Sequence, residues 1–72
     1  MKVIVNGEAR DLAPGTTVAG LLSELEIEMH LDPERRGVAV AVDAAVVHRG
    51  QWDSQVLCDG IRVEVLIAIQ GG

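Results

Sequence analysis

The sequence predicts an α+β domain in which one helix packs against a mixed sheet of four or five strands. The 72 residues contain one helical apolar stripe, several short stretches of alternating apolar residues, and turn signals between them. A hairpin cannot bury its apolar face alone, and an amphipathic helix needs a second layer to cover its stripe. A single sheet wrapped around the single helix satisfies both requirements.

The first predicted element is a β-hairpin at the start of the chain. Val3 and Val5 alternate with outward positions, and Asn6-Gly7 follows them. Asn-Gly between extended segments is typical of a type I′ turn, because both central residues of that turn need positive φ. The second strand is predicted at about residues 9–12, and Pro14-Gly15 forms the next turn.

The helix is predicted to begin after Thr17, with Thr16 as the alternative N-cap. Its apolar residues recur at i, i+3, i+4 and i+7, which is one stripe of an amphipathic helix. They are Val18, Leu21, Leu22 and Leu25. Gly20 lies inside this helix and costs about 1 kcal/mol relative to alanine, so a close approach to the sheet is expected there. Asp32-Pro33 ends any helical extension, because the residue before proline disfavours the α region.

The remaining strands are predicted in the second half of the chain. Residues 38–42 place valines on one face and alanines on the other, residues 43–45 turn the chain, and residues 46–47 form a short strand. Trp52 is expected to cover one end of the core. In the last strand, Ile61, Val63, Val65, Ile67 and Ile69 are expected to face the helix, opposite Arg62, Glu64, Leu66 and Ala68.

This order of elements is the β-grasp, or ubiquitin-like, arrangement. We expect residues 1–70 to form it as a single domain, followed by a flexible tail, Gly71-Gly72. Because glycine has no Cβ, such a tail can enter a narrow channel, and extended residues 68–72 could insert roughly 15 Å into a partner. The α-carboxyl group that it presents is an anion at neutral pH and can attack a phosphate. A frayed terminus is the alternative interpretation.

Composition and charge argue against several classes of function. The formal net charge is −5 and the six Lys and Arg residues are scattered, so nucleic-acid binding is not expected. A single cysteine excludes an internal disulfide and a multi-cysteine zinc site. No run approaches the ~20 apolar residues of a membrane span, and the first residues are too short for a signal peptide. We expect a soluble, cytoplasmic protein without membrane contact that is a monomer when free.

Six short motifs occur in order along the chain. They are V-N-G-E at 5–8, P-G-T-T-V-A-G-L-L at 14–22, G-V-A-V-A-V at 37–42, V-V-H-R-G-Q-W at 46–52, D-G at 59–60 and V-E-V-L-I-A-I-Q-G-G at 63–72. With them the chain resembles the ThiS family, the sulfur carriers of thiamine thiazole biosynthesis, over nearly its whole length. It departs from the family pattern at Asp43, His48 and Ile61, where Asn, Pro and Asp are usual or common, and in a longer stretch at 27–36.

The resemblance implies a protein substrate rather than an enzyme. An E1-like adenylating enzyme of the ThiF type would use ATP to convert the Gly72 carboxylate into an acyl-adenylate. A cysteine desulfurase or other persulfide donor would then replace AMP to give a thiocarboxylate, and a thiazole synthase of the ThiG type would accept the sulfur. The chain has no phosphate-binding Gly-rich loop and no nucleophile–base pair, so no catalytic, cofactor or metal site is expected in it.

The face of the sheet away from the helix is expected to carry partner recognition. Small and apolar side chains suit docking, although exposed apolar atoms are common on any surface. The residues placed there are Ile4, Ala39, Ala41, Leu66 and Ala68. Cys58 lacks a basic neighbour to stabilise a thiolate and is expected to be half-buried and inert, while His30 and His48 are expected on the surface.

Three alternative functions stay open at this point. The chain could carry sulfur for another pathway, as the small subunit of molybdopterin synthase or as a carrier for cysteine or natural-product synthesis. It could be a ubiquitin-like modifier whose Gly72 forms an isopeptide bond with lysine, because the activation chemistry is shared. It could also be a β-grasp binding module in which Gly71-Gly72 is incidental.

Overall fold

The computed structural model describes residues 1–68, in which one helix packs on one mixed sheet of five strands. The elements are β1 (Lys2–Val5), β2 (Glu8–Asp11), α1 (Val18–Leu25), β3 (Val38–Val42), β4 (Ala45–Val47), a 3₁₀ helix (Arg49–Gln51) and β5 (Arg62–Ile67). The sheet order is β2-β1-β5-β3-β4, with β5 parallel to β1 and antiparallel to β3. The predicted fold class is confirmed, with five strands. The predicted domain boundary at residue 70 and the Gly71-Gly72 tail lie outside the described residues.

Both hairpins use the same two-residue turn. Asn6 and Gly7 have φ values of 49° and 84°, which are the left-handed values that a type I′ turn requires. Asp43 and Ala44 repeat this geometry between β3 and β4, at 48° and 67°. Ala45 was predicted to lie in the second turn, but it begins β4, because a two-residue turn returns the chain to the ladder one residue earlier.

Helix α1 begins where the sequence predicts. The Thr17 hydroxyl accepts a hydrogen bond from the Gly20 N–H at 3.1 Å, and all four stripe residues are buried. The expected approach of Gly20 to the sheet is wrong. A Cβ at that position would lie 3.3 Å from Cγ2 of Thr16 and 3.6 Å from Oγ1 of Thr17, so it would meet the N-cap turn instead.

The core is aliphatic, with one aromatic side chain at its edge. Its valines and leucines come from α1, from β1, β3, β4 and β5, and from the connections between them. Trp52 is 6% exposed, and its indole Nε1 donates a hydrogen bond to the Val47 carbonyl oxygen at 2.9 Å. The Arg49 guanidinium lies 5.0 Å from the centre of the Trp52 ring. Trp52 therefore covers the core as predicted, with its polar nitrogen satisfied.

The predicted alternation along β5 holds in the middle of the strand and weakens at its ends. Val63 and Val65 are buried, whereas Ile67 is 41% exposed and Ile61 is only partly buried. Helix α1 has eight residues and is therefore about 12 Å long, whereas the six residues of β5 span about 20 Å. The helix is therefore too short to cover the whole strand. Ile69 lies outside the described residues.

The loop between α1 and β3 is held by charged side chains. The Asp32 carboxylate accepts hydrogen bonds from the backbone N–H groups of Glu34 at 2.8 Å and Arg36 at 3.2 Å. It also forms an ion pair with the Arg36 guanidinium at 3.2 Å. The Arg49 guanidinium, in the 3₁₀ helix, donates to the carbonyl oxygens of Glu34 and Arg35 at 2.8 and 2.6 Å. These contacts fix the loop that leads into β3.

Candidate functional site

Four of the five predicted docking residues lie together on the outward face of the sheet. Ala39 is paired with Leu66 and Ala41 with Glu64 across β3 and β5. Leu66 is 59% exposed, and Ala39 and Ala68 are also exposed. Burial of the valines that alternate with the two alanines places Ala39 and Ala41 on the side away from α1.

Ile4 lies on the same face but apart from the other four. It is paired with Arg62, at the start of β5, whereas Leu66 is near the end of that strand. Arg62 and Glu64 are both exposed and come between them along β5. Ile4 is half-buried, so it contributes less accessible apolar surface than Leu66 does.

Val46 belongs to this apolar surface and was missed by the sequence interpretation. It is 70% exposed and is paired with Ala41 across β3 and β4. Its neighbour Val47 is buried at 7% exposure, so alternation along β4 turns Val46 outward. The signal was present in the sequence, because only one of two adjacent strand valines can face the core. We call the set Ala39, Ala41, Val46, Leu66 and Ala68 the outward patch.

The outward patch reaches Ala68 at the end of the described chain, and β5 is held along one edge as far as Val65 and along the other as far as Ala68. On the β1 side, Asn6 Oδ1 accepts from the Val65 N–H at 2.9 Å, and Asn6 Nδ2 donates to the Val65 carbonyl oxygen at 3.2 Å. On the β3 side, the Ala68 N–H donates to the Gly37 carbonyl oxygen at 2.7 Å. Gly71 and Gly72, the predicted tail and modification residues, lie outside the described residues.

A groove between β2 and the end of α1 is closed by an ion pair. The two guanidinium nitrogens of Arg10 donate to the two carboxylate oxygens of Glu28 at 2.7 and 2.9 Å. These hydrogen bonds lower the pKa of Glu28 and raise the pKa of Arg10. Arg10 and Glu28 line this groove and neutralise each other, so neither offers an unpaired charge to a ligand.

The other singled-out side chains lie apart from the outward patch. Cys58 is exposed, not half-buried as expected, because Leu57 beside it takes the core position at 2% exposure. His30 and His48 are exposed, which confirms their surface placement. Within residues 1–68, no group of three His, Cys, Asp or Glu side chains could hold a metal ion. Over the same residues, no helix is long and apolar enough to cross a membrane.

One helix on a five-stranded sheet of order β2-β1-β5-β3-β4 defines a ubiquitin-like β-grasp domain. The fold is similar to the crystal structure of the thiamine biosynthesis protein ThiS from Geobacter metallireducens, with a TM-score of 0.78, 30% identity and full coverage of both chains. An NMR structure of a thiamine biosynthesis protein from that organism gives a TM-score of 0.77 at 31% identity, covering 100% of this chain and 88% of the other.

The sequence comparisons agree with the structural ones. The sequence model of the ThiS family matches residues 3–72. The Sulfur carrier protein ThiS of Escherichia coli K12 is 32% identical over all 72 residues, with full coverage of both chains. The chain belongs to the ThiS family.

Longer proteins also contain a segment similar to this chain. The Thiazole synthase of Magnetococcus marinus is 40% identical over all 72 residues, and that of Paramagnetospirillum magneticum is 32% identical over the same length. The chain spans only 20% of each of these relatives.

Proposed function

We propose that this chain carries sulfur as a thiocarboxylate at Gly72 and delivers it to a thiazole synthase. As a member of the ThiS family, the chain is a sulfur carrier of thiamine biosynthesis and not a catalyst. The observation that carries the proposal is the course of β5. This central strand leads to Ala68, and Gly71-Gly72 comes three and four residues further along the sequence.

The proposed chemistry needs a partner enzyme, because a carboxylate is a poor electrophile. At neutral pH the Gly72 α-carboxyl group is an anion. In the active site of an E1-like adenylating enzyme, its oxygen attacks the α-phosphorus of ATP, and pyrophosphate leaves. The terminal sulfur of a persulfide, from a cysteine desulfurase or another donor, then attacks the acyl carbon, and AMP leaves. The product is an acyl disulfide between Gly72 and the donor. A thiol attacks the donor's sulfur atom in this disulfide, so that a new disulfide forms on the donor and the thiocarboxylate leaves.

The choice of thiazole synthase as the acceptor is supported by the longer relatives. In two proteins named thiazole synthase, a segment similar to this whole chain is continuous with the rest of the polypeptide. A carrier joined covalently to its acceptor meets that acceptor at high effective concentration. We infer that this chain and a separate thiazole synthase make the corresponding contact between two molecules.

The outward patch is the proposed docking surface for these partners. Val46 and Leu66 are 70% and 59% exposed, and Ala68 is the last described residue before the tail. Exposed apolar side chains grouped on one face are typical of interaction sites. A partner seated there would lie beside the segment that leads to Gly72.

The acceptor is tested with protein that has already been charged with sulfur. The thiocarboxylate form of the chain is incubated with a thiazole synthase and its other substrates. A parallel incubation contains the large subunit of molybdopterin synthase and the precursor of molybdopterin. We expect the thiocarboxylate to return to a carboxylate only with thiazole synthase, with matching thiazole formation. Consumption only by the molybdopterin system would overturn the assigned pathway while leaving the carrier chemistry intact.

A further inference from the structure

We propose that Gly37 is a positioning residue that holds Ala68 and thereby sets the point at which the chain leaves the sheet toward Gly72. The inference rests on the proposed use of the Gly72 carboxylate. It adds the element of the fold that determines how far that carboxylate extends from the domain.

The two residues are in close contact, and a side chain that extends beyond Cβ at residue 37 would meet Ala68. The Ala68 N–H donates to the Gly37 carbonyl oxygen at 2.7 Å, which continues the ladder one step beyond the Val38–Ile67 pair. Gly37 has a φ of +72°, and a Cβ there would lie 3.4 Å from the Ala68 carbonyl oxygen and 3.7 Å from the Ala68 Cβ. A branched side chain would therefore be strained in its backbone and would push against Ala68.

Gly37 is itself fixed to the body of the domain. Its neighbour Arg36 has its N–H bonded to the Asp32 carboxylate at 3.2 Å. The Arg35 carbonyl oxygen accepts from Arg49 at 2.6 Å and from the Val38 N–H at 3.3 Å. A hydrogen bond to Gly37 thus ties Ala68 to an anchored loop rather than to a loose one.

On the β1 side of β5, no hydrogen bond among residues 1–68 reaches as far along the strand as Ala68. Strand β1 ends at Val5, and the side chain of Asn6 extends the pairing only as far as Val65. In the β3 ladder, the N–H groups of Leu66 and Ala68 point toward β3, because alternate residues of an antiparallel pair exchange hydrogen bonds. Among residues 1–68, the hydrogen bond from the Ala68 N–H to the Gly37 carbonyl oxygen is therefore the last one that holds β5 to the sheet, and we call it the tie.

The tie limits how far the Gly72 carboxylate can extend from the domain, and deleting single residues after Ala68 shortens that distance stepwise. With Ala68 held, residues 69–72 span at most about 13–14 Å when extended. Removing one of them shortens the reach by about 3.5 Å, and freeing both Ile67 and Ala68 would return about 7 Å. Loss of the tie should therefore compensate for a shortened tail.

The first test compares Gly37→Val with Gly15→Val. Gly15 has a φ of +87° and nothing within 4 Å of its Cβ position, so it shares the backbone strain but does not contact Ala68. We expect amide hydrogen exchange at Ala68 to be at least about tenfold faster in Gly37→Val than in Gly15→Val, with Leu66 alike in both. This measurement does not involve the sulfur reaction. Equal exchange at Ala68 in the two variants would overturn the proposal.

The second test deletes Gln70 in the wild type and in both variants, and measures acyl-adenylate formation with an E1-like enzyme and ATP. We expect the deletion to slow the reaction by about tenfold or more in the wild type and in Gly15→Val, but by less than about threefold in Gly37→Val. The same loss in all three backgrounds would overturn the positioning role. A wild type that is not adenylated at all contradicts the proposed function instead, and the exchange measurement still decides the tie. If Gly37→Val does not fold, Gly37→Leu and Gly15→Leu, whose side chains are not branched at Cβ but still extend beyond it, replace the pair.

Discussion

The side chain of Asn6 binds both backbone polar groups of Val65, accepting from its N–H at 2.9 Å and donating to its carbonyl oxygen at 3.2 Å. Asn6 also occupies the first position of the type I′ turn, at a φ of 49° that asparagine tolerates better than most residues. The same residue therefore turns β1 into β2 and extends the pairing of β1 with β5 toward the tail.

Replacing Asn6 should separate these two roles. We expect Asn6→Ala to lower the free energy of unfolding by about 2–3 kcal/mol, because two hydrogen bonds are lost and alanine is strained at positive φ. Asn6→Gly loses the same bonds but tolerates the turn, so its loss should be smaller. Urea unfolding of both variants measures the difference. A loss from alanine no larger than that from glycine would show that the φ value contributes nothing.

Leu66→Asp should leave the fold intact and weaken binding to the adenylating enzyme. Leu66 is 59% exposed on the outward patch, so the carboxylate of the aspartate in the variant would stay in water. Ile27→Asp is the matched control, because Ile27 is 85% exposed just after α1, and it should affect neither folding nor binding. Val65→Asp buries a charge at a site that is 3% exposed and should cost several kcal/mol of stability. Thermal unfolding and a binding assay on the three variants test the assignment; normal binding by Leu66→Asp would remove Leu66 from the docking surface.

Trp52 should be the side chain with the largest single contribution at the edge of the core. We expect Trp52→Ala to cost about 3–5 kcal/mol, because it leaves a cavity and removes the hydrogen bond to the Val47 carbonyl oxygen. Trp52→Phe keeps most of the apolar surface, so it should cost about 1–3 kcal/mol through the unsatisfied carbonyl group. Denaturant unfolding distinguishes the two, and equal losses would mean that the hydrogen bond dominates the packing.

The loop at Asp32 should lose its electrostatic support in acid. Hydrogen bonds from the Arg36 guanidinium lower the pKa of the Asp32 carboxyl below its ordinary value. A carboxyl group whose pKa is lowered on folding stabilises the protein above its unfolded pKa of about 3.9, and this contribution disappears as pH falls through the folded value. The difference in melting temperature between the wild type and Asp32→Asn should therefore be present at neutral pH and shrink below about pH 4. Arg36→Ala should show the same pH dependence, and a difference that persists at low pH would contradict the ion-pair account.

The sequence predicted those parts of the fold that depend on local periodicity. The stripe from Val18 to Leu25 and the alternating valines of β3 each identify a buried face without any knowledge of the partner element. The exposure of Ile67 was not predictable in this way, because it depends on where the two-turn helix lies along a longer strand. Val46 could have been identified, because alternation with Val47 turns it outward, but which of the two valines faces the core is set by the turn at Asp43 and Ala44.

The residues of the candidate site can be proposed from the sequence, whereas the contacts that hold the end of β5 cannot. Gly71-Gly72 and the small outward side chains can be identified in the sequence itself. The tie between Gly37 and Ala68 cannot, because it joins two residues far apart in the chain and depends on the register of β3 with β5. The exposure of Cys58 was also missed, since the adjacent Leu57 could equally have left the core to it.

Sulfur carried on the carboxyl carbon of Gly72 can be detected by intact-protein mass spectrometry with C-terminal fragment mapping. The wild type, Cys58→Ala and Gly71→Val are each incubated with the E1-like adenylating enzyme, ATP and a persulfide donor. We expect the wild type and Cys58→Ala to gain the mass of one oxygen-for-sulfur exchange, located at Gly72. We expect no gain for Gly71→Val, whose branched side chain would obstruct the partner's channel. Sulfur on Gly71→Val but not on Cys58→Ala would rule out Gly72 as the carrier and assign the sulfur to the exposed thiol.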